Sequence, residues 1–210
     1  MDRYLRVTAV LVVASVVLAA ALGYYFAKVT VTSATTVQPN SGPYQLMLIE
    51  PMNTAWNSTT AQPTFYVVGT NGLGSSANIR LPVKTLIQVT IVSYDTPTAG
   101  SQQQDGLVKG TVGSTVYMIN GTTASLGTTP MQWGKNVTSV SAEILAHTFT
   151  IQQLGVNIPV VGGDTEIAYL YFDRAGTYQW ICLTPCGFGS NGTEGAMSTT
   201  GWMEGTITVA

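Results

Sequence analysis

Beyond residue 28 no stretch of about 12 residues keeps a helical period, while short runs of β-branched and aromatic residues recur between turn residues. The runs are Tyr44–Glu50, Thr64–Val68, Thr85–Val92, Ser114–Ile119, Val137–Ile144, His147–Ile151, Glu166–Phe172, Thr177–Leu183 and Gly205–Val209, bounded by Gly, Pro, Asn or Asp. In Thr85–Val92 the residues Ile87, Val89 and Ile91 alternate with Leu86, Gln88 and Thr90, so one face is mostly apolar. Such spacing predicts an all-β chain, a sandwich or barrel. Residues 96–134 are poor in periodicity and rich in Gly, Gln, Thr and Ser. They read as an excursion inserted into the β domain, too small to bury a core of their own.

Charged residues make up 9% of the 210-residue chain, against roughly 25% in ordinary soluble domains. With 45% of residues apolar and arranged in strand-like runs, the low charge signals a folded chain with an uncharged polar surface, not disorder. Such a surface changes little with pH, which suits an acidic exterior. The net charge of −2 offers no basic patch, and nucleic acid is excluded as a partner.

Val7 to Phe26 is uncharged and long enough to cross a bilayer core of ~30 Å as a helix. Arg3 and Arg6 before it place the amino terminus in the cytoplasm, and Tyr24, Tyr25 and Phe26 suit the outer interface. A cleaved signal peptide is the competing reading, with Ala19-Ala20-Ala21 as small residues for cleavage. The apolar run exceeds a signal core of ~7–15 residues, which favours a retained anchor. The expected organisation is an anchor over 1–28, a Thr/Ser/Val-rich linker over 29–43, and a domain on the outer face over 44–210. The sequons at Asn57, Asn120, Asn136 and Asn191 are glycosylation candidates on an external surface.

Both cysteines lie in Tyr178–Met197, as Cys182-Leu-Thr184-Pro-Cys186-Gly187 with Met197 beyond. Sulfur at this spacing reads like a copper-binding loop. Copper electron-transfer sites also need imidazole, typically two histidines. The chain has one, His147.

Two segments carry a family resemblance. His147-Thr-Phe149-Thr-Ile-Gln-Gln-Leu154-Gly155-Val156-Asn-Ile158 is similar to the part of haem–copper oxidase subunit II that supplies the first histidine of its dinuclear copper centre, CuA. Ala175-Gly176-Thr-Tyr178-Gln-Trp-Ile-Cys182-Leu-Thr-Pro-Cys186-Gly187 resembles that family's Gly-x-Tyr-x3-Cys-x3-Cys-Gly segment. Leu81-Pro82-Val83-Lys84 and the strand to Tyr94-Asp95 look like the strand before the ligand histidine in cupredoxins. The resemblance implies a cupredoxin-like Greek-key β-sandwich behind one N-terminal transmembrane helix, docked on the catalytic subunit I of a terminal oxidase. It places His147, Cys182, Cys186 and the Thr184 carbonyl at copper-ligand positions. The second histidine's position is Ser190 and the methionine's is Thr193; Met197 reaches that role only if the loop carries an insertion of about four residues.

The family geometry brings both cysteine sulfurs to one point, and in an exported chain a Cys182–Cys186 disulfide is the default expectation. Reduced thiols, or a weak metal site with His147 and Met197, are the alternatives. His147 alone reads as a hydrogen-bonded structural residue, and Tyr178, Trp180 and Trp202 as core residues before an electron relay.

The expected function is a subunit II of a membrane quinol oxidase of archaeal type, with no catalytic residue and no cofactor of its own, capping the subunit that holds haem and copper. The alternative is a membrane-anchored copper electron-transfer protein, sulfocyanin-like or bearing CuA. A surface sandwich without a redox partner is the third reading. Membrane lipid is the other expected contact.

Overall fold

In the computed structural model the described residues are 42–52, 62–120, 134–187 and 195–210. The expected anchor and residues 29–41 of the expected linker therefore lie outside them, as do Asn57, Ser190, Asn191 and Thr193. Among the described residues no helix is long and apolar enough to cross a membrane. The chain divides into two units, and Pro43–Ala210 holds every strand described below.

Among the described residues, twelve strands form two sheets. They are β1 (Tyr44–Glu50), β2 (Tyr66–Gly69), β3 (Gly72–Ser75), β4 (Asn78–Leu81), β5 (Leu86–Ser93), β6 (Val116–Asn120), β7 (Lys135–Val137), β8 (Leu145–Ile151), β9 (Val156–Val161), β10 (Asp164–Tyr171), β11 (Gly176–Ile181) and β12 (Glu204–Val209). One sheet has the order β3-β2-β1-β5-β10-β6-β7, the other β4-β12-β11-β8-β9. β1 runs parallel to β5 and β4 parallel to β12; the remaining pairs within the sheets are antiparallel. The expected all-β sandwich is what these residues form.

The period-2 pattern sets which side chains face inward. Leu46 and Leu48 of β1, Ile87, Val89 and Ile91 of β5, and Ala168 and Leu170 of β10 are buried and stand side by side by register. Across the sandwich, Trp180 of β11 is fully buried, stacked on Phe149 with ring centres 5.2 Å apart and edge-on to Phe65 at 5.8 Å. Its indole N–H donates to the Ser76 carbonyl at 3.0 Å. Gly205 sits opposite Trp180 in register, and a Cβ there would come within 2.5 Å of the indole nitrogen.

Three expectations need correction. The run Val137–Ile144 is not one strand: β7 ends at Val137, and Ala142–Ile144 is a 3-10 turn capped by Ser141, whose hydroxyl accepts from Glu143 N–H. β3, β4 and β9 escaped the sequence reading. β9 is buried along its whole length, so its VNIPVV sequence shows no alternation. The strand expected at Ser114–Ile119 is β6, and it is integral to the larger sheet, paired with β10.

The rest of the described excursion is a strap across the smaller sheet. β8 and β9 are buried on both faces. Thr98 N–H donates to the Leu145 carbonyl at 2.9 Å and Thr98 Oγ1 to the Ala146 carbonyl at 2.7 Å. Lys109 and Asn157 exchange both backbone hydrogen bonds, at 3.0 and 2.9 Å, on the edge strand β9. The Asn157 side chain donates to the carbonyls of Asp105 and Leu107, satisfying a buried amide.

Candidate metal and redox site

The end of the sandwich where β1, β5, β9 and β11 finish and β8, β10 and β12 begin is where the polar residues collect. β8 brings His147 inward, and the turn after β11 brings Cys182, Thr184 and Cys186. All four are buried. β5 leads into Asp95, and β1 ends on Glu50, which is fully buried.

Cys182 is the centre. The Cys186 thiol donates to its sulfur at 3.0 Å, and Thr148 N–H donates to it at 3.4 Å. Thr184 Oγ1 lies 3.1 Å from the same sulfur and the Thr184 carbonyl 3.8 Å from it, while Thr184 Oγ1 also donates to the Ala146 carbonyl at 2.8 Å. Leu183 N–H donates to Thr148 Oγ1 at 2.8 Å, tying the loop to β8. His147 Nδ1 stands 3.9 Å from Cys182 Sγ. On its other side Nε2 lies 3.0 Å from Asp95 Oδ2 and 3.9 Å from Glu50 Oε2. Ser93 Oγ donates to Glu50 Oε2 at 3.1 Å, while Glu50 Oε1 has no hydrogen-bond partner among the described residues.

Burial favours the neutral form of every group here, and specific neighbours decide which ones resist it. Burial would lower His147, but the Asp95 hydrogen bond, then Cys182 and Glu50, outweigh it and hold the ring at about 10. Burial would raise Cys182, but the hydrogen bond from Cys186 and then the hydrogen bond and charge of His147 bring it well below the ordinary thiol value. Cys186 is pushed up, first by the hydrogen bond it gives to Cys182 and then by burial. The neighbours favour the ionised forms of Cys182 and His147 and the neutral form of Cys186. Glu50 is raised to about 7, chiefly by burial.

The structure thus brings together His147, Cys182, Thr184 and Cys186. Both cysteines are free thiols in it. Met197 is half-buried against the core, in a 3-10 turn whose backbone N–H donates to the Gly187 carbonyl at 3.1 Å. Asn136 is exposed on β7, and Asn120 ends β6. Glu50, Asp95 and Thr148 are site residues the sequence reading did not single out. Glu50 carried a signal nonetheless: it follows Leu46 and Leu48 at a spacing of two, on the buried face of β1.

The donors fit copper only in part. His147 Nδ1, Cys182 and Cys186 place one nitrogen and two sulfurs within 4.8 Å of one another. Three such donors suit a single soft ion. A dinuclear centre or a blue-copper His2Cys site requires a second imidazole, and the chain has one histidine in all.

No family model and no curated protein matches the sequence. Among solved structures, the chain is similar to the periplasmic domain of cytochrome oxidase subunit II (CoxB) of Bradyrhizobium japonicum, at 11% identity and TM-score 0.35, over 80% of this chain and 83% of that one. A chain of a heme-copper terminal oxidase dimer is similar at 15% identity and TM-score 0.37, over 98% of each. The copper protein rusticyanin is similar at 14% identity and TM-score 0.31, over 81% of this chain and 80% of that one.

Proposed function

We propose that this chain is a non-catalytic subunit II of a membrane terminal oxidase fed by quinol, its cupredoxin-like domain on the outer face capping a catalytic subunit that holds haem and copper. The observation that carries the reading is the convergence of His147, Cys182, Thr184 and Cys186 at one end of the sandwich, in a chain with no second histidine. A relay from cytochrome c needs the full ligand set, whereas a quinol-fed enzyme does not. The resemblance of the segments around His147 and Cys182 supports subunit II in particular, and the apolar run Val7–Phe26 supports a retained single anchor with a cytoplasmic amino terminus. In the oxidising exterior, Cys182 and Cys186 close into a disulfide that holds the loop in place.

A second reading is favoured by one feature, the three soft donors already gathered within 4.8 Å. On that reading the chain is a membrane-anchored copper protein that carries single electrons.

Affinity capture of the full-length chain from native membranes, followed by a haem spectrum, tests the first reading. Co-purifying haem is the expected result, and absence of any haem-containing partner overturns it. Titration of the captured chain with Cu(II) separates the two, because a strong visible sulfur-to-copper band would establish the second.

A further inference from the structure

His147 divides its two ring nitrogens between unlike surroundings. Nδ1 faces sulfur, with Cys182 Sγ at 3.9 Å. Nε2 faces oxygen, with Asp95 Oδ2 at 3.0 Å and Glu50 Oε2 at 3.9 Å. Glu50 ends β1, and Asp95 follows β5, the strand paired beside it. The oxygen side is incompletely satisfied. A hydrogen-bonded contact serves His147 and Asp95 but leaves Glu50 short: this side chain is fully buried, and its Oε1 has no hydrogen-bond partner among the described residues. Folded chains rarely bury a carboxylate oxygen unpaired, and one that is unpaired points to a bound ion or water.

We propose that His147 Nε2, Asp95 and Glu50 bind one divalent cation of the zinc type, on the side of the imidazole away from the cysteines. The spacing fits. Zinc takes imidazole nitrogen and carboxylate oxygen at ~2.0–2.2 Å, which sets tetrahedral donors ~3.4 Å apart. The three residues place one donor atom each within 4.8 Å of one another, and the two contacts to Nε2, at 3.0 and 3.9 Å, straddle that spacing. Donor type selects the ion. One nitrogen and two carboxylate oxygens suit zinc, whereas copper(I) prefers the sulfur side. Calcium asks for ~6–8 oxygens and magnesium for a near-octahedral oxygen shell, more than these three side chains supply.

Charge closes as well, since two carboxylates balance a divalent ion beside a neutral ring. The ion takes the place of the proton that joins Nε2 to Asp95, and that proton leaves to solvent. Asp95 has a side chain 10% exposed, so the ion enters past it and water fills the fourth position. Each donor is held from behind, as metal ligands are. Ser93 Oγ donates to Glu50 Oε2 at 3.1 Å, and Thr96 N–H to Asp95 Oδ1 at 2.8 Å. The ring's remaining proton then sits on Nδ1 and faces Cys182 Sγ. The two sides of His147 are therefore alternatives: with zinc on Nε2, a soft ion on the sulfurs has no imidazole lone pair to use.

The proposal does not rest on the oxidase reading, and the haem spectrum of captured chain neither supports nor damages it. Its test takes the full-length chain in detergent, stripped with chelator and kept without added reductant. Zn(II) is titrated in, and binding is read by calorimetry and by thermal unfolding. One zinc per chain is expected, with Tm rising as zinc is added. Glu50→Gln removes a ligand charge and keeps the shape, and it is expected to weaken zinc at least tenfold. In chelator this variant is expected to unfold no earlier than wild type, which shows that it is folded. Asp173→Asn, at an exposed acid, is expected to leave zinc binding unchanged. Co(II) serves as an optical stand-in, and the wild-type chain is expected to show d–d bands with no sulfur-to-cobalt charge-transfer band. Absence of zinc binding overturns the proposal, as does equal affinity in Glu50→Gln. A sulfur-to-cobalt band in the wild-type chain overturns it too, because the ion then lies on the cysteines.

Discussion

His147 Nε2 and Asp95 Oδ2 are 3.0 Å apart across the buried end of the sandwich, although 52 residues separate them in the chain. With Nε2 facing the carboxylate, Nδ1 is the nitrogen turned to Cys182, 3.9 Å from its sulfur.

That pair makes stability depend on pH at both extremes. His147 is raised to about 10 in the folded chain, so its contribution is complete below the ordinary value of 6.5 and is lost as pH rises through about 10. Asp95 is lowered, despite burial, mainly by its hydrogen bond from His147; its contribution is present above 3.8 and lost as pH falls through its folded value. Asp95→Asn should cost about 3 kcal/mol at pH 7, as breaking a buried pair does, and should flatten the loss between pH 7 and 10. Thermal unfolding of both proteins across that range checks it.

Glu50 should behave in the opposite sense from an ordinary surface acid. Its folded value is raised from 4.5 to about 7 by burial, so the unfolded chain loses the proton first and stability falls as pH rises from 4.5 through 7. Glu50→Gln is expected to leave stability at pH 4 nearly unchanged and to raise it at pH 8 by about 2 kcal/mol. Denaturant midpoints at the two pH values decide it, and equal effects at both would show that the carboxylate is ionised throughout.

The two sulfurs should differ in reactivity. With Cys182 lowered and Cys186 raised, limited alkylation of the reduced chain near neutral pH is expected to label Cys182 first once the loop opens. If the proposed disulfide forms, chain taken from native membranes is expected to resist alkylation until reductant is added. Peptide mass spectrometry with and without reductant reads both outcomes.

Gly205 is expected to tolerate no side chain. Gly205→Ala would place a methyl 2.5 Å from Trp180 Nε1 and 2.6 Å from the Ser76 carbonyl, groups that are bonded to each other. A loss of about 1–3 kcal/mol in urea unfolding is expected, with a red shift of Trp180 emission.

Much of the sandwich was legible because its strands have one wet face. β1 and β5 alternate cleanly, and their spans in the sequence nearly coincide with those in the structure. β9 was not, since a strand buried on both sides has no period to read. The sulfur half of the site was legible from Cys182-x3-Cys186 and the lone histidine. Its carboxylate half was not, because Glu50 and Asp95 come from strand ends remote in sequence, and only the fold makes them neighbours of His147. Asp164 and Glu166 share this character: both are buried on β10, and burial raises both.

The strap between Asp95 and His147 has a kinetic meaning. Its hydrogen bonds to Leu145, Ala146 and Asn157 all close a long loop, so the site cannot be assembled by any local stretch of chain. Non-local closure of this kind slows folding, and it makes the carboxylate–imidazole contact one of the last to form and one of the first to report on opening. Hydrogen exchange at Lys109 and Asn157 should therefore track the chemical accessibility of Cys182, one event seen by two probes on opposite sides of β8.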